Sequence, residues 1–343
     1  MRKLQPAEIL VVKSGWLTTV QDLGRYGHQH DGVSVSGVMD SFSTIVANRL
    51  VGNPDQAAVL ELTLKGPELQ FEQDAVIAIA GADLSPTLDG RSVPMWERML
   101  IPRGSRLRFG VPRAGARAYL AIAGGIDVPV VLGSRATHWA SDTGGLHGKP
   151  LKPGDIVCSG RARPFVNRRR AARLPDPLRS RYEHSVALRI ILGPQGDFFL
   201  KKSITTLTGS SYTVSPQSNR MGYRLTGPKI SPKGSTPFIS DGTATGALQI
   251  PPDGQPILLM ADRQTTGGYP KIAVVISADL PLAAQLAPGD HIRFVLCTAA
   301  QAQRLLRMQR AQLNAGLPPC DGRSQQMVPL SHHESISILR VSK

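Results

Sequence analysis

Four polar, glycine-punctuated stretches carry the side chains best suited to chemistry. The first, Gly15–Ser43 (GWLTTVQDLGRYGHQHDGVSVSGVMDSFS), sets Gln21, Asp22, Arg25, Ser34, Ser36 and Asp40 among glycines. Glycine lets a backbone approach a ligand closely and turn its N–H groups toward anionic oxygens. The second, Ser215–Gly227, holds Asn219, Arg220, Tyr223 and Arg224. Two guanidiniums beside a glycine suit a carboxylate or phosphate, because each donates as a fork. The third, Ser240–Gln249, alternates Asp241, Thr243, Thr245 and Gln249 as if lining one face of a strand or loop. The fourth, Ala261–Lys271 (ADRQTTGGYPK), follows an apolar run, and a strand exit is a common place for a site. There Asp262 could act as a general base, Gln264, Thr265, Thr266 and Tyr269 could hydrogen-bond a ligand, and Lys271 supplies a point charge. GSRATHWASDTGG adds Arg135, Thr137 and Asp142. The alternatives are structural: an internal Asx and Ser hydrogen-bond network in the first stretch, an arginine salt bridge in the second, plain turns in the fourth.

Self-contained catalytic signatures are missing. GGLHGKP (Gly144–Pro150) resembles a phosphate-binding loop only superficially: Thr143 stands where the first glycine belongs, and proline follows Lys149 where a magnesium-ligating hydroxyl is needed. There is no G-x-S-x-G elbow and no Met-Lys dipeptide of the kind a biotin carrier presents. His28 and His30 could face one way on an extended segment, but without a third ligand they read as turn residues, so no metal site is expected.

The elements that must position these residues are mainly strands. Alternating or β-branched runs occur at Ile9–Lys13, Val59–Leu64, Glu68–Phe71, Ala75–Ala80, Arg106–Val111, Ala116–Ala121, Val186–Leu192, Pro256–Met260, Ile272–Ile276 and His291–Leu296. With 34 glycines and 27 prolines the chain is rich in turns, which favours a β architecture. Helices are expected over Met39–Leu50, capped by Asp40 or Ser41 and stopped at Gly52, over Asp279–Leu286, and over Ala299–Leu313, a surface or docking helix. Two echoes recur, R-x-G-x-x-x-x-G at Arg25 and Arg220, and L-x-P-G-D at Leu151–Asp155 and Leu286–Asp290. They fit a duplication or a shared turn device equally. The reading is mainly β, with few short helices: β-barrel domains over 1–160 and 184–297, a basic linker over 161–183, and a C-terminal helix and disordered tail over 298–343.

The net charge of +15 invites a nucleic-acid reading. Yet residues 161–183 carry eight arginines against Asp176 and Glu183, and residues 298–343 carry five arginines and Lys343 against Asp321 and Glu334. Most of the excess thus lies in a connector and a tail, where charge runs are usually solvated, and no nucleic-acid partner is expected. Three separated cysteines (Cys158, Cys297, Cys320), no signal peptide and no run of eighteen apolar residues point to a cytoplasmic protein that does not enter a membrane.

The motifs GWLTTVQDLGRYGHQHDGVSVSGVMD, LELTLKGPEL, GGIDVPVVLGSRAT, LKPGD, SPQSNRMGYRLTGP and SDGTATGALQIPPDGQPILLMADRQTTGGYPKIAVVISADLPLAAQLAPGD together resemble the biotin-dependent carboxyltransferase / allophanate hydrolase subunit 2 (KipA-like) family, which includes the C-type subunit of 5-oxoprolinase. The resemblance runs from about residue 9 to 315 and lapses in the arginine-rich connector and after Pro318. It implies a cyclophilin-like β-barrel fold and a B-type, KipI-like partner. With a further A-type subunit, such pairs open 5-oxoproline to glutamate using ATP (with Mg2+) at the level of the complex. The fused pair forms the carboxyltransferase part of urea carboxylase, where biotin serves, and some relatives regulate a sporulation kinase. Nothing here resembles the Ser-Ser-Lys amidase that hydrolyses allophanate. For a small amide or ureide substrate, Arg220, Arg224 and Lys271 would hold anionic oxygens, and Asp262 or Asp241 would position or deprotonate it. Gln21, Asp22, Arg25 and Asp40 would complete or support the pocket.

Overall fold

The Glu8–Lys13 strand shows how the N-terminal half is built. Ile9 and Val11 are fully buried while Glu8 and Lys13 face out, the period-two pattern of a strand with one face on a core. The computed structural model describes residues 5–162, 173–234 and 239–320. Glu8–Lys13 lies between Ile156–Cys158 and Glu68–Phe71, and the sheet continues through Arg106–Arg108, Thr87–Leu88 and Arg91–Ser92. A second sheet runs Leu17–Gln21, Val59–Thr63, Ala114–Ile122, Ala75–Asp83, Arg98–Ile101. Ile9, Leu69 and Phe71 of the first meet Leu60, Ile77 and Leu120 of the second in one core. In place of one closed ring, the strands of this half divide into two sheets, and among the described residues no ladder joins them.

Ala75–Asp83 and Ala114–Ile122 are buried on both faces. Their second face presents Ala78, Ala80, Tyr119 and Ala121 to a helix, α1 (Ser41–Val51), which packs Val46, Ala47 and Leu50 on them. The alanines keep that face shallow, so the helix can come close. α1 starts at Asp40, whose carboxylate accepts from Ser43 N, and stops at Gly52 in a left-handed conformation (φ 82°), as the sequence signals indicate.

The C-terminal half is a closed seven-stranded barrel: Ser185–Leu192, Lys271–Val275, Ala247–Gln249, Ile257–Leu259, Gly222–Thr226, Ser211–Val214 and His291–Leu296. Closure comes from parallel pairing of the first strand with the last, in register from Ser185↔His291 to Ile190↔Leu296. Inward-facing Leu188, Ile190, Tyr223, Leu225, Leu258, Ile272 and Phe294 fill the interior. A helix that the sequence does not signal, α2 (Lys201–Gly209), lies against the closing strand. Its threonines are weak helix formers and Leu200 offers no side-chain cap, so tertiary packing rather than local signal holds it. α3 (Leu280–Ala283) is one turn within the expected Asp279–Leu286 stretch. α4 (Ala299–Gly316) opens with a capping box, Thr298 to Gln301, and returns to the N-terminal half. There Arg49 donates to Asn314 Oδ1 and Leu317 O, both at 2.8 Å, and Leu313 is buried beside α1.

In both L-x-P-G-D turns the aspartate caps its own turn, Asp155 accepting from Lys152 N and Asp290 from Ala287 N. The strands that follow pair differently, however. Ile156–Cys158 runs antiparallel to the first strand of its half, and His291–Leu296 runs parallel to the first strand of the barrel. The echo is therefore shared turn chemistry. Within the connector, Leu174 is buried among α1 and α4 residues, and Arg173 and Arg179 pair with Asp176. Most of its basic run (163–172) and the expected disordered tail from 321 lie outside the described residues. No helix among the described residues is long and apolar enough to cross a membrane.

Candidate functional site

Arg220 precedes the Gly222–Thr226 strand and turns into the seam between the two halves. Its Nε and Nη2 donate to both Asp262 oxygens at 2.8 and 3.0 Å, Nη1 donates to Glu61 Oε1, and Nη2 reaches Gly37 O. Glu61 also accepts from Met39 N (2.8 Å) and from the Tyr119 hydroxyl (2.9 Å), which itself accepts from Asp40 N. Asp40 accepts from Ser43 and, at 2.8 Å, from Gln285 Nε2; Gln285 Oε1 in turn accepts from Arg117 N. Arg117 completes the circuit by donating to the Tyr223 hydroxyl and Ala284 O at 2.6 Å, with its guanidinium 5.6 Å from the Tyr223 ring. Side chains of the N-terminal half and of the barrel thus share one buried network, and most of their polar atoms are spent on one another.

Burial pushes Arg220 down, but the Asp262 and Glu61 carboxylates outweigh it and hold the guanidinium firmly protonated. Burial likewise pushes the Asp262 carboxyl up, and Arg220, with the Ser36 hydroxyl, brings it below its usual range. A carboxylate held so is a weak proton acceptor, so its surroundings do not suit the general-base role. Asp40 is raised by burial against the hydrogen bonds of Ser43 and Gln285, but it is fully buried as a helix cap. Tyr223 points into the barrel and is buried in its core. Arg220, Asp262, Asp40 and Tyr223 are brought together, then, as the clasp that positions loops rather than as free ligand donors.

Three loops meet beside this clasp. Ser36 Oγ lies 2.7 Å from Asp262 Oδ1 and 3.0 Å from Thr137 O, and Ser34 Oγ donates to Arg263 O. Ser36 adopts φ 55°, costly for a residue with a side chain, and Gly37 follows at φ 86°. A Cβ on Gly37 would sit 2.7 Å from the Gly24 backbone. Gln21, Asp22 and Arg25 fasten the 131–137 loop to the same place. Gln21 Nε2 donates to Thr137 O, Asp22 accepts from Ser134 Oγ and Arg135 N, and Arg25 donates to the carbonyls of Val131 and Ala136. Gln21 Oε1 and Arg25 Nη1 are buried with no hydrogen-bond partner among the described residues. Asp22 also borders a groove of about 240 Å3 that is lined by Tyr26, Val130 and Arg135.

A second cluster gathers under a two-stranded ribbon in which Asp241 pairs with Gly267 and Gly242 with Thr266. Lys271 Nζ, on a side chain only 4% exposed, donates to Asp241 Oδ2 (3.1 Å) and Gly242 O (3.0 Å). Asp241 itself is 55% exposed and also accepts from Gln195 Nε2 at 3.2 Å. Gln249, the cross-strand partner of Lys271 at a bulge, accepts from Gln264 Nε2 (3.2 Å). Its own amide nitrogen is buried without a partner among the described residues. Thr243 ties the ribbon to the loop that follows Asp262, since its N–H donates to Thr265 O and its hydroxyl to Gln264 O. Burial pushes the Asp241 carboxyl up, but Lys271, Gly242 N and Gln195 more than offset this and hold it below its usual range.

The remaining sequence candidates lie apart. Arg224 alternates with inward-facing Tyr223 and Leu225, so it points out of the barrel and does not pair with Arg220 on a ligand. Asn219 is exposed and its side chain caps Met221 N in a local turn. Thr266 and Tyr269 are exposed at the ribbon. Glu61, Arg117, Tyr119 and Gln285 are members of the network that motif and spacing do not flag. Each interrupts an otherwise apolar run (VLELT, ARAYLAI, LAAQL), and a polar residue inside a buried run must find a partner.

Comparison with known proteins gives the family and the fold. Residues 31–296 match the family described as carboxyltransferase domain, subdomain A and B. The chain is 38% identical over 304 residues to the C-type subunit of 5-oxoprolinase from Escherichia coli (strain K12), covering 88% of this chain and 94% of that one. It is 35% identical over 307 residues to the protein of the same description from Haemophilus influenzae, covering 90% and 96%. Among solved structures, the K. lactis urea amidolyase superposes with a TM-score of 0.84 at 33% identity over 93% of this chain, which spans only 20% of that enzyme's length. On its sequence, its coverage and its fold, the chain belongs to the carboxyltransferase domain, subdomain A and B family.

Proposed function

We propose that this chain is the C-type subunit of a heteromeric, ATP-dependent 5-oxoprolinase of the cytoplasm, acting with a KipI-like B-type subunit and an A-type subunit to open 5-oxoproline to glutamate. Near full-length similarity to two C-type subunits of 5-oxoprolinase carries the reading, since each is covered almost end to end. The cluster under the ribbon suits the task. Lys271, Gln249, Gln264 and Gln195 supply a cation and amide groups suited to a substrate's anionic oxygens. The Arg220 clasp keeps the loops that carry them in place. Asp262 and Asp241 are engaged by Arg220 and Lys271, so the role of this chain is to bind and orient the cyclic amide.

Magnesium-bound ATP is assigned to the complex as a whole, since magnesium takes only one or two carboxylates beside the nucleotide's own phosphate oxygens. Similarity to urea amidolyase favours a second reading, a carboxyltransferase component served by a biotin carrier. The two part in one assay: ATP hydrolysis by the reconstituted complex, with 5-oxoproline or with urea and a biotinylated carrier. Stimulation by 5-oxoproline alone supports the first reading, and stimulation only by urea with the carrier overturns it.

A further inference from the structure

The donors around Asp241 form a carboxylate receptor, and the protein's own carboxylate fills it. Lys271 Nζ and Gln195 Nε2 both donate to Asp241 Oδ2, and Gly242 N donates to Oδ1 at 2.7 Å. The arrangement is lopsided in exposure. The cation is almost wholly buried, while the acid that neutralises it is more than half exposed and sits on a ribbon pairing only two residues per strand. Beside Lys271, across the bulge, the Gln249 amide nitrogen is buried with no acceptor among the described residues. An unmet donor of this kind costs free energy unless something accepts from it at another stage of the cycle. The ribbon seals that donor in: a Cβ on Gly267 would lie 2.4 Å from Gln249 Nε2 and 3.3 Å from Gln264 Nε2. A side chain at 267 would have to displace the Gln249 amide.

We propose that Asp241 is a built-in stand-in for a substrate carboxylate: it rests on Lys271 in the unliganded protein, and the ribbon 241–242/266–267 lifts so that a small carboxylate takes its place while the same ligand's second oxygen accepts from Gln249. The naming of 5-oxoproline as that carboxylate rests on the function proposed above; the exchange itself does not. Because the two anions compete for one cation, removing the internal one strengthens binding.

Calorimetric titration of the folded chain with its B-type partner tests this, using 5-oxoproline, acetate and the uncharged analogue 2-pyrrolidinone. Asp241→Asn, a substitution at an exposed position, is expected to bind 5-oxoproline about fivefold more tightly with no gain for 2-pyrrolidinone. Lys271→Met, confirmed folded by its melting transition, should weaken the carboxylates about tenfold or more and leave 2-pyrrolidinone unchanged. Weaker or equal binding of 5-oxoproline by Asp241→Asn overturns the exchange, even if the complex still turns over 5-oxoproline. Acetate that binds in a Lys271-dependent, Asp241-inhibited manner, with 5-oxoproline inert, supports the exchange and removes the proposed substrate instead.

Discussion

Replacing Arg220 with methionine separates a clasp from a ligand donor. Methionine keeps much of the volume but removes the bidentate contact to Asp262, the bond to Glu61 and the bond to Gly37 O. Two carboxylates with little solvent contact, Glu61 at 1% and Asp262 at 11% side-chain exposure, are then left without their cation. Breaking one buried ion pair in this way costs about 3–5 kcal/mol, and two stranded acids put this site at the upper end. At about 2.1 cal/mol/K of unfolding entropy per residue, the 343-residue chain shifts by about 1.4 °C per kcal/mol, so the melting temperature should fall by about 6–7 °C. Calorimetry of the purified chain measures this without any partner. Neutralising the stranded acids as well, in an Arg220→Met, Asp262→Asn, Glu61→Gln chain, should recover part of the loss. An Arg220→Met melting temperature within about a degree of the parent, accompanied by lost activity in the complex, would refute the clasp and return Arg220 to the ligand.

Other contacts can be tested one at a time. Gly37→Ala places a Cβ 2.7 Å from the Gly24 backbone at a φ of 86°, and should cost about 2 kcal/mol or more in urea unfolding; a loss below about 0.5 kcal/mol would show that the 24–37 loop relaxes freely. Leu313→Ala empties the one side chain that α4 buries, and should cost about 2–4 kcal/mol and expose the helix to proteolysis before the barrel; equal resistance would mean α4 is held elsewhere. Because the folded-state pKa of Asp262 lies below its unfolded value, its contribution is present at neutral pH and lost as pH falls below the ordinary aspartate range of about 4. Asp40, raised by burial, acts with the opposite sign, so Asp262→Asn should lower stability at pH 7 and flatten the acid limb; an unchanged acid limb contradicts the assignment.

What could be read from sequence was local. The Met39–Leu50 helix with its Asp40 cap and Gly52 stop, and the strand runs at Glu68–Phe71 and His291–Leu296, follow from periodicity and punctuation, and the structure keeps them. Two- and three-residue strands such as Thr87–Leu88 and Ala247–Gln249 carry too few residues to show a period. The polar stretches stand out in sequence, but their division of labour is hidden there. Arg220 and Arg224 look like a matched pair in sequence, and their even spacing would put both on one face of a strand; Arg220 instead sits in the turn before Gly222–Thr226 and is buried, while Arg224 lies on the strand's outward face. The partner that fixes Arg220 as a clasp, Glu61, lies 159 residues away in the other half. No spacing rule reaches that far. Gln249 and Lys271 are visible as polar residues, whereas their adjacency depends on a bulged cross-strand register.

Product formation is the most direct test of the proposed role. With purified A-type and B-type subunits, ATP and isotopically labelled 5-oxoproline, labelled glutamate should form only when this chain is added, and formation should collapse with its Lys271→Met variant. Glutamate formed equally well without the chain, or with the variant at full rate, would contradict it.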